Sequence, residues 1–132
     1  MPEYRTRFFP THLTRWFALA IGLLMAATTL ADAAPIHPHL GAQLIEQGAL
    51  VLDVRAPEEV EATGLLANAK NVVHTDTEGL KAAVGADRQR MVVVYCASGR
   101  RAEMAMDSLR EAGYHNLINA GGYDDLRAAL ED

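Results

Sequence analysis

Five consecutive apolar residues, Met91 to Tyr95, restrict the fold of this chain more than any other segment. Four of the five are β-branched or aromatic, which favours a strand, and none is charged or amide-bearing. Because neither face of such a strand suits water, both faces must be covered, as they are in a parallel sheet between helical layers. We therefore expect this segment to be the central strand of an α/β fold.

Apolar runs alternate with segments of helical spacing along the rest of the chain. The other predicted strands are Ala49 to Val54, Asn71 to Val73 and a segment near Leu117-Ile118, with a turn at Gly121-Gly122. The predicted helices are Leu40 to Ile45, Pro57 to Glu59 and onward to Gly64, Leu80 to Val84, Ala102 to Ala112, and Asp124 to Leu130. Residues 35–39 contain two prolines and are expected to form a loosely ordered lead-in. The alternation predicts a mostly parallel central sheet with helices on both faces.

The N-terminal quarter has the pattern of an export signal. Residues 1–15 carry three arginines and one acid, residues 16–31 carry no charge, and Ala31-Asp32-Ala33 is a small-x-small tripeptide. This order predicts a cleavable Sec-type signal peptide over residues 1–33 and a periplasmic domain over residues 34–132, without stable membrane association after cleavage. The alternative is an uncleaved N-terminal anchor, although the apolar run is short for a span of about 20 residues.

Charge and cysteine content exclude several classes of function. The chain carries a formal charge of −5, which argues against nucleic-acid binding because phosphate neutralisation needs a basic surface. Its one cysteine cannot form an intrachain disulfide or a multi-cysteine zinc site. His37 and His39 in the lead-in are too few to hold a metal firmly, so we expect solvated side chains there. No metal or cofactor is predicted.

The single cysteine, Cys96, stands where the central strand is predicted to end. It opens the loop Ala97-Ser98-Gly99-Arg100-Arg101, which leads into a predicted helix. Inward backbone N–H groups and the positive end of that helix favour an anion, and therefore a thiolate. Gly99 permits a tight turn, and Arg100 and Arg101 supply cations where an anionic substrate would dock. A lone cysteine is more often buried apolar filler, but this context predicts a nucleophile.

Three blocks of sequence resemble the single-domain rhodanese family. They are Val92 to Arg101, Leu52 to Glu59, and Gly113-Tyr114 together with Asn119 to Gly122. The order and spacing of the blocks match, and the resemblance extends over roughly residues 36–130. It implies a small rhodanese-like domain and the activity of a thiosulfate sulfurtransferase.

The same resemblance implies a mechanism and a set of site residues. The thiolate of Cys96 would take the outer sulfur of thiosulfate, release sulfite and pass its persulfide sulfur to a cyanide, thiol or dithiol acceptor. Ala97 to Arg101 would bind the substrate, with the two arginines at the sulfonate end of the donor. Asp53 and Arg55, at the end of the first core strand, would support the loop as an ion pair rather than act in catalysis.

One stretch departs from the family pattern. Where the family has Gly-His-Ile-Pro-Gly-Ala, this chain has Gly64-Leu65-Leu66-Ala67-Asn68-Ala69. Asparagine tolerates left-handed backbone, so we expect the turn at Asn68 to survive.

Two other functions remain open at this level. Cysteine-dependent phosphatases and arsenate reductases share the Cys-to-Arg loop, but they place five residues between the two, whereas Cys96 and Arg101 enclose four. A partner-specific persulfide carrier or a redox-responsive binding module would use Cys96 in the same way without broad turnover.

Overall fold

The computed structural model describes residues 35–66 and 68–132, so the predicted signal peptide lies outside the described residues. The described strands are β1 (Leu50–Asp53), β2 (Ala69–Asn71), β3 (Val92–Cys96) and β4 (Leu117–Gly122). The helices are α1 (Pro38–Glu46), α2 (Pro57–Thr63), α3 (Thr77–Val84), α4 (Arg100–Glu111) and α5 (Tyr123–Glu131). In this part of the chain no helix has the length and apolarity to cross a bilayer.

The four strands form one parallel sheet in the order β2-β1-β3-β4. β3 lies inside the sheet between β1 and β4, and every one of its residues is buried. The prediction of a central strand at this position is therefore confirmed, as is the α/β class with its parallel sheet.

Helices cover both faces of the sheet, and alternate strand residues divide between two cores. On one face, Leu52 and Val94 pack with Leu80 of α3 and Leu109 of α4. The opposite face has its own core, formed with α1 and α5 by Ala42, Val51, Leu66, Val93, Tyr95, Ala120 and Leu126. Because the strands point successive side chains to opposite faces, β3 contributes to both cores.

The position of β2 corrects the sequence prediction by two residues. The strand covers Ala69–Asn71 rather than Asn71 to Val73. As an edge strand it is only partly buried, so it carries no apolar signal, and Val72 beyond it packs against the core on the α3 side.

Two other predictions, for the lead-in and for the turn at Gly121-Gly122, are wrong. The lead-in is not loose, because α1 already begins at Pro38, where a helix needs no N–H, and the His37 N–H donates to the Asn119 carbonyl at 2.8 Å. The predicted turn at Gly121-Gly122 is part of β4. Val94 pairs with Asn119 and Cys96 with Gly122, so β4 carries one extra residue, and the φ of +83° at Gly121 fits such a bulge.

Gly41 of α1 marks a close approach between helix and sheet, and it gives a test of that packing. A Cβ at this position would lie 2.7 Å from the Cβ of Ala120 and 3.3 Å from Val93 Cγ1. Alanine normally stabilises a helix interior by about 1 kcal/mol over glycine, but here overpacking should reverse the sign. We expect Gly41→Ala to lower the free energy of unfolding by about 1–3 kcal/mol in urea titration.

The exposed Gln43 on the same helix supplies the control. Gln43→Ala should change the free energy of unfolding by at most about 0.5 kcal/mol. A stabilising effect of Gly41→Ala would contradict this description of the contact.

Candidate functional site

Cys96 is the last residue of β3 and is fully buried. Its Sγ accepts a hydrogen bond from the backbone N–H of Gly99 at 3.0 Å. Gly99 has a φ of +97°, in the left-handed region, and it is the residue from which the twelve-residue helix α4 begins. One inward amide and the start of a helix therefore converge on the sulfur, and both favour negative charge there.

The end of β4 holds this loop in place. Asn119 is buried, and its Nδ2 donates to the Gly99 carbonyl at 2.9 Å while its Oδ1 accepts from the Gly121 N–H at 2.9 Å. The backbone of Ala97 lies so close to Gly122 that a Cβ on that glycine would collide with the Ala97 carbonyl oxygen. The loop is thus supported from the neighbouring strand.

The residues predicted to bind substrate lie together at the carboxyl end of the sheet. Ala97, Ser98 and Arg100 are exposed, Gly99 is buried beneath them, and Arg101 is partly buried. The loop therefore exposes polar groups to solvent, while the sulfur of Cys96 is buried beneath them.

Arg101 is bound by a carboxylate from another element. Its Nη1 and Nη2 lie 2.6 Å and 2.8 Å from the two carboxylate oxygens of Glu59 in α2. The hydrogen bonds from Arg101 lower the pKa of Glu59 to about 2, against the opposing effect of burial. The pKa of Arg101 is raised, chiefly by its hydrogen bonds with Glu59 and to a smaller extent by the nearby Cys96.

Asp53 and Arg55 form a buried ion pair between the end of β1 and the end of α2. Arg55 Nη2 lies 2.6 Å from Asp53 Oδ2, and Arg55 is only 3% exposed. The same guanidinium donates to Thr63 Oγ1 at 2.8 Å and to the Gly64 carbonyl at 3.0 Å. The hydrogen bond with Asp53 is the largest cause that raises the pKa of Arg55. Arg55 therefore fastens the end of α2 to the end of β1.

The stretch that departs from the family pattern keeps its turn. Asn68 has a φ of +63°, so the expected left-handed backbone is confirmed. The Leu66 N–H donates to the hydroxyl of Tyr95 at 3.2 Å. Burial raises the pKa of Tyr95 far above its usual value, so the hydroxyl keeps its proton.

A cavity of about 250 Å³ opens beside the loop. Its lining comes from the connection between β1 and α2, from α2, from the loop and from the start of α5. It consists of Arg55, Glu59, Ala62, Thr63, Ala97, Tyr123 and Asp124. The Tyr123 hydroxyl donates to the Thr63 carbonyl at 2.9 Å, and the Arg55 guanidinium lies 4.4 Å from the centre of the Tyr123 ring. These contacts join α5 to α2 across the cavity.

Sequence reasoning missed Glu59, Asn119 and Tyr123 as parts of the site. Glu59 lies in the first turn of α2, where a helix favours an acid, and its Oε2 accepts the Ala56 N–H at 3.0 Å. No local signal separates it from Glu58. Asn119 stands in a block that carried the family resemblance, and a buried amide at a strand end was the available clue.

The described residues contain no cluster of three or more histidine, cysteine, aspartate or glutamate side chains that could hold a metal ion. His37 and His39 are both exposed, in agreement with the expectation of solvated side chains.

Comparison with known proteins identifies relatives of this arrangement. The family described as "Rhodanese-like domain" matches residues 38–129. Thiosulfate sulfurtransferase PspE of Escherichia coli K12 is 33% identical over 75 residues, which cover 57% of this chain and 71% of that protein. The resemblance seen in the three sequence blocks is thereby confirmed.

Solved structures agree with this result. A rhodanese with anions from E. coli superposes with a TM-score of 0.52 at 32% identity, covering 58% of this chain and 89% of that one. The human single-domain sulfurtransferase TSTD1 superposes with a TM-score of 0.58 at 26% identity, covering 73% of this chain and 97% of that one.

The pair between Glu59 and Arg101 predicts how the protein responds to acid. Because the pKa of Glu59 falls from 4.5 to about 2 on folding, its contribution is complete above about pH 4.5 and is lost as pH falls towards 2. Glu59→Gln should lower the free energy of unfolding by about 1 kcal/mol or less at pH 6, since the pair is partly exposed. Urea titrations between pH 6 and pH 2.5 should show wild type and variant converging.

Glu58, the exposed neighbour in the same helical turn, gives the matched control. Glu58→Gln should change stability by at most about 0.5 kcal/mol at pH 6. A gap between wild type and Glu59→Gln that stays constant down to pH 2.5 would contradict the assignment.

Proposed function

Since the chain belongs to the family of rhodanese-like domains, we propose that it moves sulfane sulfur from thiosulfate to a cyanide, thiol or dithiol acceptor through a persulfide on Cys96. Sulfur transfer is the class of reaction that this membership and the likeness to PspE support. The observation that carries the proposal is the Gly99 N–H directed at Cys96 Sγ at the start of α4. A sulfur held in this way can bear negative charge before and after it accepts a second sulfur.

In the first half-reaction, the thiolate of Cys96 attacks the outer sulfur of thiosulfate. A sulfur–sulfur bond forms on Sγ, the bond between the two donor sulfurs breaks, and sulfite leaves with that electron pair. The charge of −3 on thiolate and thiosulfate together is conserved in the persulfide anion and sulfite. The Gly99 amide and the positive end of α4 stabilise the negative charge throughout.

The donor is a dianion, and two arginines are available to receive it. Arg100 is exposed in the first turn of α4 and stands in none of the ion pairs found among the described residues. Arg101 is already oriented by Glu59, which fixes its guanidinium but also neutralises part of its charge. We therefore assign the main attraction for the sulfonate to Arg100 and a fixed, weaker contribution to Arg101.

In the second half-reaction, an acceptor takes the outer sulfur. Its nucleophilic atom bonds to that sulfur, the bond to Sγ breaks, and the electron pair returns to Cys96 as the thiolate. Cyanide leaves as thiocyanate and a thiol leaves as a persulfide. Asp53 and Arg55 contribute by holding α2 beside the loop, which makes them supporting rather than catalytic residues.

Persulfide formation is directly measurable. Treatment of the domain with thiosulfate should raise its intact mass by one sulfur atom, and cyanide should remove that sulfur as thiocyanate. Cys96→Ser should abolish both events, because no other cysteine is present to accept the sulfur. Circular dichroism should show that the Cys96→Ser protein keeps the wild-type fold, so that the loss of activity does not result from structural damage.

Three results of this experiment are distinct. Turnover that survives in Cys96→Ser would overturn the mechanism. A persulfide that forms but reaches an acceptor only when another protein is added would indicate the partner-specific carrier instead. Hydrolysis of an aryl phosphate without sulfur uptake would indicate a phosphatase.

We also propose that the protein is exported and that residues 1–33 are removed, on the strength of the arginine-rich start, the uncharged run and the Ala31-Asp32-Ala33 site. Expression of the full chain in a Gram-negative host should place a protein beginning at Ala34 in the periplasmic fraction. Ala33→Arg should block processing, since the peptidase requires a small residue there. An intact N-terminus in the membrane fraction would indicate an anchor.

A further inference from the structure

We infer that the cavity beside the Cys96 loop is an acceptor subsite that favours small thiols carrying a positively charged amine, an inference that rests on the proposed sulfur transfer. We call this cavity the acceptor recess; its lining residues are Arg55, Glu59, Ala62, Thr63, Ala97, Tyr123 and Asp124. The position of the recess, its size and the charge of its lining all favour such an acceptor.

The recess adjoins the reacting sulfur through the chain itself. Ala97 is covalently joined to Cys96 and is exposed, so the recess reaches the rim of the loop that holds the sulfur. Its other walls are α2 and the first turn of α5, which the hydrogen bond from Tyr123 to Thr63 joins together. A molecule seated there lies beside the residue that directly follows the reacting cysteine.

The size of the recess limits what it can hold. Pockets for drug-sized ligands enclose about 300–1,000 Å³. At about 250 Å³, the recess suits a molecule of a few heavy atoms or the end group of a longer one. A short thiol fits this limit, whereas a folded partner would have to insert a side chain.

The charges of the lining do not cancel. Arg55 is neutralised by Asp53 at 2.6 Å, and Glu59 is neutralised by Arg101 at 2.6 Å. The carboxylate of Asp124 has no such partner. Asp124 is exposed and belongs to none of the ion pairs found among the described residues. The acceptor recess therefore carries one uncompensated carboxylate.

No ion pair joins Asp124 to Arg127, the cation on the same helix, among the pairs found in the described residues. Arg127 lies one turn after Asp124, but its Nε is 3.9 Å from Glu131 and its guanidinium is 5.9 Å from the Tyr123 ring centre. The start of α5 carries partial positive charge, which stabilises the ionised carboxylate of Asp124. The carboxylate still attracts a cation. The Tyr123 ring already has the Arg55 guanidinium at 4.4 Å, so the group in the recess that would attract an ammonium is the carboxylate of Asp124.

The donor site and the acceptor site thus carry charges of opposite sign. The exposed Arg100 is the cation assigned to the anionic donor, whereas Asp124 disfavours anions in the recess and attracts an ammonium. This division keeps thiosulfate and sulfite out of the acceptor position. In the reaction, the thiol sulfur bonds to the outer sulfur of the persulfide, the bond to Cys96 Sγ breaks, its electron pair returns to Cys96, and the thiol proton passes to the sulfur transferred.

The test compares three thiols in which two methylene groups separate the sulfur from an ammonium, a hydroxyl or a carboxylate: cysteamine, 2-mercaptoethanol and 3-mercaptopropionate. Each reacts with persulfide-loaded protein whose loading has been verified by intact mass. Because the thiols differ in intrinsic reactivity, the readout is the ratio of rates between thiols, compared across variants. Asp124→Asn should lower the ratio of cysteamine to 2-mercaptoethanol by about threefold and raise that of 3-mercaptopropionate to 2-mercaptoethanol.

Asp125 provides the matched control, since it is an exposed aspartate in the same helical turn that does not line the recess. Asp125→Asn should leave both ratios unchanged. Ratios that do not move in Asp124→Asn, or that move equally in Asp125→Asn, would overturn the inference while leaving the transfer reaction intact.

A second measurement does not depend on loading. In Cys96→Ser protein, cysteamine should shift the amide NMR signals of Thr63, Ala97 and Tyr123, and Asp124→Asn in the same background should remove the shifts. Failure of wild type to take up sulfur would overturn the proposed function alone. Missing amide shifts would overturn the acceptor recess alone.

Discussion

The burial of β3 on both faces is the constraint on which the rest of the structure depends. All five of its residues are buried, and they supply both cores of the domain. A strand in this position cannot shift its register without moving side chains from one core to the other. Its last residue is Cys96, so the packing of the whole domain fixes where the sulfur stands.

Support for the loop comes from elements that are distant in sequence. Asn119 holds the Gly99 carbonyl at 2.9 Å, and the extra residue in β4 lets Gly122 pair with Cys96. With the loop fixed by β4, the Gly99 amide is directed at the sulfur before any substrate arrives. Preorganised donors of this kind need no rearrangement when charge develops, which is the property that makes them effective in catalysis.

Two ion pairs connect α2 to the sheet and the loop, and they differ in kind. Asp53 and Arg55 are almost entirely buried, so removal of either partner would leave an uncompensated charge. Glu59 and Arg101 are partly exposed, at 37% and 27%, and contribute less to stability. The first pair fixes the position of α2, and the second orients a cation beside Cys96. Together they shape the acceptor recess and leave Asp124 as its uncompensated charge.

The sequence by itself determined the α/β class, the central strand and the loop that follows Cys96, because a continuous apolar run is a local signal that burial in the sheet reinforces. The glycine pair Gly121-Gly122 was a weaker signal, since pairing with β3 made it part of β4. It misplaced β2, whose edge position carries no apolar signal, and it could not separate Glu59 from Glu58. Only the tertiary structure decided that Glu59 meets Arg101, that Asn119 supports Gly99 and that Asp124 borders the recess. Those contacts join segments between 20 and 42 residues apart, or form a cavity from three elements, and no local pattern encodes such a distance.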